Sequence, residues 1–123
     1  MRAALLHERL GRYLHASGRT NAGLSAFERA VELVPAQPPS PERAQALAAL
    51  GTGLSLAWRY DESLVVCEQA LALALTVGPQ SAQLRALTVL GTDLAYLGRG
   101  DEGLARLRQA LRLAEERGDP MML

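Results

Sequence analysis

Few side chains of this 123-residue chain could do acid–base, nucleophilic or metal chemistry. His7 and His15, the only histidines, stand eight residues apart. A zinc-binding helix usually places two ligands four residues apart, and further Cys, His or carboxylate ligands converge on the metal. The observed spacing therefore favours structural or surface roles for both histidines over a metal site.

A nucleophile would have to come from Cys67 or Ser63. Cys67 is the only cysteine, so no internal disulfide can form, and this usage is typical of a reducing compartment. A reactive thiol needs exposure and a nearby base, which the local sequence does not supply, so we predict a buried, inert thiol. Ser63 lies on a predicted helix and lacks the Gly-x-Ser-x-Gly context of a nucleophile elbow.

A phosphate-binding loop is suggested only by Gly98-Arg99-Gly100-Asp101-Glu102-Gly103, which matches Gly-x-Gly-x-x-Gly. In dinucleotide-binding proteins this motif follows a strand, whereas here it follows a predicted helix. We therefore predict no catalytic residue, no metal and no cofactor, and we expect that the chain is not an enzyme.

Charge is balanced, with 13 basic residues, all arginine, against 13 acidic ones. This balance gives no overall attraction to nucleic acid or membrane, and no apolar run approaches the roughly 18 residues of a membrane span. The N-terminus lacks the features of a signal peptide, so we predict a cytoplasmic protein. The last predicted hairpin is locally basic, and we interpret it as a solvated face, with binding of an acidic partner or RNA as the alternative. Its basic residues are Arg99, Arg106, Arg108, Arg112 and Arg117, partly balanced by Glu102, Glu115 and Glu116.

The elements that would position any site come from an internal repeat. Gly11, Gly51 and Gly91 are separated by 40 residues, and the residues around them recur in the same phase. Such self-similarity predicts a repeat architecture. The recurring positions are Leu10/Leu50/Leu90, Leu14/Leu54/Leu94, Leu24/Leu64/Leu104, Ala30/Ala70/Ala110 and Leu33/Leu73/Leu113.

Each unit contains two stretches in which apolar residues recur every three or four positions, which predicts amphipathic helices and an all-α fold. Ser40-Pro41-Glu42 is a typical helix start, and Gly78-Pro79 and Gly118-Asp119-Pro120 are typical of a stop followed by a restart. Gly18, Trp58 and Gly98 fall between the two helices of their units. We predict helices near 2–16, 21–35, 41–57, 61–77, 80–97 and 101–117, in one domain over 1–123 with units of about 1–40, 41–80 and 81–120.

The repeated mid-helix glycine needs a physical reason, because glycine there costs about 1 kcal/mol relative to alanine. We predict that the backbones of the two helices in each hairpin approach so closely that no Cβ fits.

The pattern resembles the tetratricopeptide (TPR) repeat. The second unit carries it as Leu47-x2-Leu50-Gly51-x2-Leu54 and then Ser63-x3-Cys67-x2-Ala70. The first and third units repeat it with Phe27 and Leu107 at the Cys67 position. The resemblance covers nearly the whole chain and implies a right-handed α-solenoid of three hairpins. The period of 40 instead of 34 implies longer second helices and connections.

Long-period repeats of this kind are similar to those of bacterial LuxR-type transcription regulators and signalling ATPases. The resemblance implies a non-catalytic arm that binds a protein or peptide, or senses a signal, within a longer regulator. After the third unit, Asp119-Pro120-Met121-Met122-Leu123 is similar to the opening of a fourth unit, so we expect a fragment of a longer array. Exposed solenoid ends then predict self-association, and an oligomerisation module is the alternative function.

The resemblance also implies a concave groove lined by the first helix of each unit. The corresponding positions are polar or small, and the Lys/Asn clamp that some TPR proteins use for a peptide C-terminus is lacking, because the chain has no Lys. A solvated groove without a ligand stays open as an alternative. The groove positions are Glu8, Arg12, His15, Gln45, Thr52, Ser55, Arg85, Thr88, Thr92 and Tyr96.

Overall fold

The computed structural model describes residues 2–117. Over this range the chain forms six α-helices, and the predicted all-α solenoid of three helical hairpins is confirmed. Each first helix packs against the second helix of its own unit, and each second helix packs against the first helix of the next unit. The helices are α1 (Arg2–Ala16), α2 (Thr20–Glu32), α3 (Pro41–Leu56), α4 (Tyr60–Val77), α5 (Gln80–Tyr96) and α6 (Gly100–Arg117).

The second helix, predicted to end near residue 35, ends at Glu32. Val34 precedes Pro35, and a residue before proline is pushed out of the helical region. Arg43, at the start of α3, donates hydrogen bonds to the carbonyls of Val31 and Val34 at 3.3 and 2.7 Å. The end of α2 is therefore closed by a side chain of the next unit.

The 40-residue period is kept in two different ways. In the first unit α2 has 13 residues and a long proline-rich connection, Leu33–Ser40, leads to α3. In the second unit α4 has 18 residues, and only Gly78 and Pro79 separate it from α5. The extra length predicted for second helices and connections therefore lies in the connection in the first unit and in the helix in the second unit.

The close backbone approach predicted at the repeated glycines is confirmed at Gly11 and Gly91. A Cβ added at Gly11 would lie 2.9 Å from Gly23 O, and one at Gly91 would lie 3.1 Å from Gly103 O. In both cases the carbonyl belongs to the other helix of the same hairpin. A Cβ at Gly51 would instead collide with the sulfur of Cys67, and no backbone atom lies closer than 3.7 Å.

Where the second helix of one unit packs on the first helix of the next, the side chains at one pair of equivalent positions have complementary sizes. The large Phe27 of α2 lies against Gly53 of α3, where an added Cβ would be 2.7 Å from the ring. One unit later, the small Cys67 stands in the Phe27 position and Asp93 in the Gly53 position. Both are fully buried. A smaller residue on the second helix thus leaves volume for a larger one on the next first helix.

Most of the repeat signature lies in the core, and its exposed members lie on the outermost helices. Leu10 on α1 and Leu107 on α6 are more than two-fifths exposed, because no further unit covers them within residues 2–117. Leu14 and Leu50 are half-buried. The buried members are Gly11, Phe27, Ala30, Gly51, Leu54, Cys67, Ala70, Leu90, Gly91, Leu94 and Ala110. The predicted Gly118-Asp119-Pro120 stop and the start of a fourth unit lie outside the described residues.

Candidate functional site

The first helices of the three units share one face, because α3 packs against both α1 and α5. We call it the first-helix face. Seven of the ten predicted groove residues line cavities on this face, and they divide into a charged group and an aromatic group.

The charged group centres on the carboxylate of Glu8. Arg12, one turn further along α1, lies 2.6 Å from Glu8 Oε1, and Arg85 of α5 reaches the same oxygen at 3.9 Å. Glu8 is only 9% exposed, whereas both arginines are more accessible. The group therefore joins the first and third units through a partly buried ion pair. Gln45 of α3 lines a cavity together with these three charged residues.

This cavity has a volume of about 100 Å³ and two guanidinium groups for one carboxylate among its lining side chains. Burial, together with the positive charge of Arg12, lowers the pKa of Arg85, and Glu8 opposes that effect. The excess positive charge means that a further anionic or hydrogen-bond-accepting group would be favoured here. The lining is Glu8, Arg12, Gln45, Ala48, Ser81, Ala82 and Arg85.

A larger, mainly apolar cavity of about 260 Å³ adjoins the charged group between α1 and α3. Glu8 and Gln45 line both cavities, so a ligand could place a polar group beside Arg85 and an apolar side chain next to Val34. The lining of the apolar cavity is Ala4, Leu5, Glu8, Val34, Glu42, Gln45 and Ala46.

The aromatic group lies at the other end of the face, where α3 and α5 end. Tyr60 and Tyr96 stack with ring centroids 4.7 Å apart and ring planes only 1° from parallel. Beside them is a cavity of about 180 Å³, lined by Ser55, Leu56, Trp58, Tyr60, Thr92 and Tyr96. We call Leu56, Trp58, Tyr60 and Tyr96 the aromatic patch.

Three predicted groove residues do not line these cavities. Thr52 and Thr88 donate their hydroxyl hydrogens to Ala48 O and Leu84 O, one helical turn back, at 2.9 and 2.8 Å. His15 is half-buried where α1 meets α2, beside Gly23. Thr92, which does line the aromatic cavity, also donates to a carbonyl of its own helix, Thr88 O, at 3.1 Å.

Sequence reasoning missed Leu56, Trp58 and Tyr60 as site residues. The usable signal was Trp58, which stands where the other two units have Gly18 and Gly98. All three residues adopt a left-handed backbone, with φ of 81° at Gly18, 65° at Trp58 and 78° at Gly98. A bulky residue is rare in that region, so a tryptophan at a glycine position of the repeat is a signal that the sequence itself carries.

Asp93 was also missed, and it is the most unusual buried group. It is fully buried, and neither carboxylate oxygen has a hydrogen-bond partner among the described residues. Ser55 and Ser63 lie close by, but the Ser63 hydroxyl donates to Gly51 O at 2.9 Å. Burial raises the pKa of Asp93, and the two serines offset only part of that effect.

Cys67 and the glycine-rich segment from Gly98 to Gly103 have structural roles in the fold. Burial raises the pKa of Cys67 to about 12, which makes a thiolate rare at neutral pH. In the Gly-x-Gly-x-x-Gly segment, Gly98 forms the turn and Gly103 packs on Gly91 O, while Arg99 pairs with Glu102 at 2.6 Å. No group of three or more His, Cys, Asp or Glu side chains that could hold a metal occurs among residues 2–117.

The basic last hairpin is partly neutralised, because Arg99 pairs with Glu102 and Arg106 with Glu68 of α4 at 2.8 Å. None of the helices in the described part of the chain is long and apolar enough to cross a membrane.

Comparison with known proteins supports the fold. Two crystal structures superpose on most of the chain: a protein of Podosopora anserina described as a putative kinesin light chain with nearly identical TPR-like repeats, and a point variant of that protein. The variant gives a TM-score of 0.80 at 15% identity over 95% of this chain and 58% of that one. The other gives 0.75 at 15% identity over 90% of this chain and 55% of that one.

The chain therefore has the fold of TPR-like repeats and spans less than two thirds of each of these structures. No protein-family model and no curated protein sequence matches the chain.

Proposed function

We propose that the chain is a non-catalytic interaction module that binds an extended segment of a protein partner along the first-helix face. The observation that carries the proposal is the placement of two chemically different groups at the two ends of this face. Arg85 and Tyr96 are eleven residues apart on α5, about 16 Å at the rise of an α-helix. An extended peptide of about five residues covers that distance.

The polarity of the two ends supports a directional ligand. The charged group offers accessible guanidinium donors beside the more deeply buried Glu8. The aromatic patch offers large, exposed apolar surface, and Trp, Tyr and Arg are the residue types that dominate binding energy in protein interfaces. A partner segment with an acidic or amide-rich end and an apolar end would satisfy both.

We further propose that the module is a regulatory arm of a longer bacterial signal-transduction or transcription regulator, of the LuxR or signalling-ATPase type, in the cytoplasm. This proposal rests on the resemblance of the 40-residue repeats. The full reading frame around the segment tests it directly: an ATPase or helix-turn-helix domain on the same chain is expected, and a chain with neither contradicts it.

Self-association through the solenoid ends is a second candidate function. Leu6, Leu10 and Tyr13 are exposed on α1, and Leu104, Leu107 and Leu111 are exposed on α6, so each outermost helix presents an apolar face. Light scattering across a concentration series tests it. Addition of a fourth repeat after α6 should reduce association if the exposed face of α6 causes it, and unchanged association would reject that cause.

A random peptide library displayed on phage tests the principal proposal even though the partner is unidentified. Sequences enriched on the wild-type chain should lose binding to Arg85→Glu, which reverses the charge at the charged group. Arg108→Glu is the matched control, because Arg108 is an exposed arginine on α6, away from the first-helix face. Enriched sequences that bind all three proteins equally would contradict the proposal.

A further inference from the structure

Trp58 has a backbone conformation that its side chain disfavours. Its φ of 65° lies in the left-handed region, and the residues at the same position of the other two units are glycines. In that region the Cβ of an L-residue lies too close to the carbonyl oxygen that follows it, and glycine has no Cβ. A tryptophan therefore carries strain that a glycine would avoid.

The Trp58 side chain contributes little to the packing of the fold. It is 81% exposed, so only about a fifth of its surface is buried in the described structure. Backbone strain combined with an exposed large side chain is a combination found at binding sites, where the strain presents a group to a ligand. The physical role of Trp58 therefore lies outside the packing of the solenoid.

Further aromatic residues lie beside Trp58, where α3 and α5 end. Trp58, Tyr60 and Tyr96 are three of the five aromatic residues of the chain. Thr20 and Gly100 occupy the Tyr60 position in the other units, and Ala16 and Leu56 occupy the Tyr96 position. Tyr96 is 68% exposed, and Leu56 is about half exposed. The concentration of aromatic surface at one inter-unit junction is therefore not a consequence of the repeat pattern.

The charge around this corner restricts the ligand class. All six residues that line the cavity are uncharged at neutral pH. The adjacent Arg59 is engaged with Glu62 at 3.0 Å, and Asp93 is fully buried. A charged ligand would find no free counter-charge in the lining, so an uncharged ligand with apolar surface is favoured.

The arrangement of the two tyrosine rings restricts the class of ligand further. Because Tyr60 and Tyr96 stack in parallel at 4.7 Å, their inner faces cover one another and only the outer faces are available. This forms a platform, whereas recognition of a quaternary ammonium requires rings that surround the cation. Pyrrolidine rings pack flat on aromatic surfaces, and the bare carbonyls of a polyproline II helix accept hydrogen bonds from Trp and Tyr.

We infer that the aromatic patch binds a proline-rich segment in the polyproline II conformation, with Trp58 and Tyr96 as its main contacts. The inference rests on the proposed interaction function and names the ligand class at one end of the first-helix face. A polyproline II segment is already extended in solution, so it loses little conformational entropy when it binds.

The test uses a ten-residue proline peptide and a Gly-Ser peptide of the same length. Trp58 is the only tryptophan, so its fluorescence should shift to shorter wavelength and saturate with the proline peptide alone. Fluorescence anisotropy of labelled peptide should show binding weakened about tenfold or more by Trp58→Gly and by Tyr96→Ala. Tyr13→Ala, at an exposed tyrosine on α1, should bind as the wild type does.

Thermal melting separates a binding defect from a folding defect. Trp58→Gly should melt at or above the wild-type temperature, because it restores the residue type of the sister turns. Equal affinity for both peptides, or undiminished binding by Trp58→Gly and Tyr96→Ala, would overturn the inference. A third outcome would also overturn the inference: the wild-type chain self-associates, Trp58→Gly abolishes that self-association, and the proline peptide does not bind. The aromatic patch would then bind a second copy of the chain.

Failure of this inference is distinguishable from failure of the proposed function. Library peptides that respond to Arg85→Glu, with no preference for proline, would reject the proline-rich ligand and leave the interaction module standing. Absence of any peptide that depends on the first-helix face would reject both.

Discussion

Ser63 donates a hydrogen bond to the carbonyl oxygen of Gly51 at 2.9 Å, across the interface between α3 and α4. The first and third hairpins have Gly23 and Gly103 at the Ser63 position, and a Cβ there would lie 2.8 Å from Gly11 O and 2.7 Å from Gly91 O. Two hairpins are therefore joined by direct backbone contact, and the middle one by a buried side-chain hydrogen bond. This difference explains why a Cβ added at Gly51 would meet no carbonyl of the other helix, as it would at Gly11 and Gly91.

Ser63→Ala should lower the free energy of unfolding by about 1 kcal/mol, because it removes one buried hydrogen bond. Chemical denaturation measures the change. Ser25→Ala is the matched control, since Ser25 donates to Asn21 O on an exposed helix surface. A Ser63 effect no larger than the Ser25 effect would show that the bond does not stabilise the hairpin.

Gly51→Ala should lower the free energy of unfolding by about 1–3 kcal/mol through overpacking against Cys67. Because the sulfur is the only atom in close conflict, the cost should largely disappear in a Cys67→Ala background. A double-mutant cycle measures this coupling. Gly11→Ala in a Phe27→Ala background is the control: it should stay destabilising, because Gly23 O also lies 2.9 Å from the added Cβ.

Asp93→Asn should raise the free energy of unfolding at pH 7 by about 1–2 kcal/mol, because it removes a buried charge that lacks hydrogen bonds. The raised pKa of Asp93 means that the folded state binds its proton more tightly than the unfolded state does. The stability linked to this proton is fully present below the ordinary pKa of 3.8 and is lost as pH rises through the raised value.

The stability advantage of Asp93→Asn should therefore shrink on acidification from pH 7 towards pH 4. Urea titrations of both proteins at several pH values measure it. An advantage that is constant over this range would show that Asp93 is not buried as a charge. Asp61→Asn, at an exposed aspartate on α4, controls for general effects of charge removal.

Cys67 should resist thiol reagents in the native protein, because its side chain is fully buried and its pKa lies at about 12. The rate of reaction with a chromogenic disulfide at pH 8 should be limited by opening of the second hairpin and should rise steeply in denaturant. Immediate reaction in native buffer would contradict the burial of Cys67 between α3, α4 and α5.

Much of the fold was predictable because the repeat phase carries it. Gly11, Gly51 and Gly91 fix the hairpin contacts, and all six predicted helices are present. The end of α2 lies at Glu32, slightly before the predicted end near residue 35, because Pro35 stops the helix although the apolar periodicity continues through Leu33 and Val34. Here the restriction that Pro35 places on the backbone of the preceding residue outweighs the helical periodicity of the apolar residues.

The site was less predictable because it depends on departures from the repeat. Arg85 meets Glu8 only because α1 and α5 converge on the same side of α3, which no local pattern encodes. Asp93 is buried because Cys67 is small, a compensation between residues 26 positions apart. Positions where one unit differs from its two sisters, such as Trp58, were the informative signal.

Binding of a partner along the first-helix face can be mapped residue by residue with NMR chemical shifts of the isotope-labelled chain, titrated with a library-selected peptide. We expect the largest changes at Gln45, Ser55, Arg85 and Tyr96, and little change on the outward surface of α4 at Val65 and Leu75. The largest changes on α4, or on the apolar end face of α6 at Leu104 and Leu111, would contradict binding along the first-helix face.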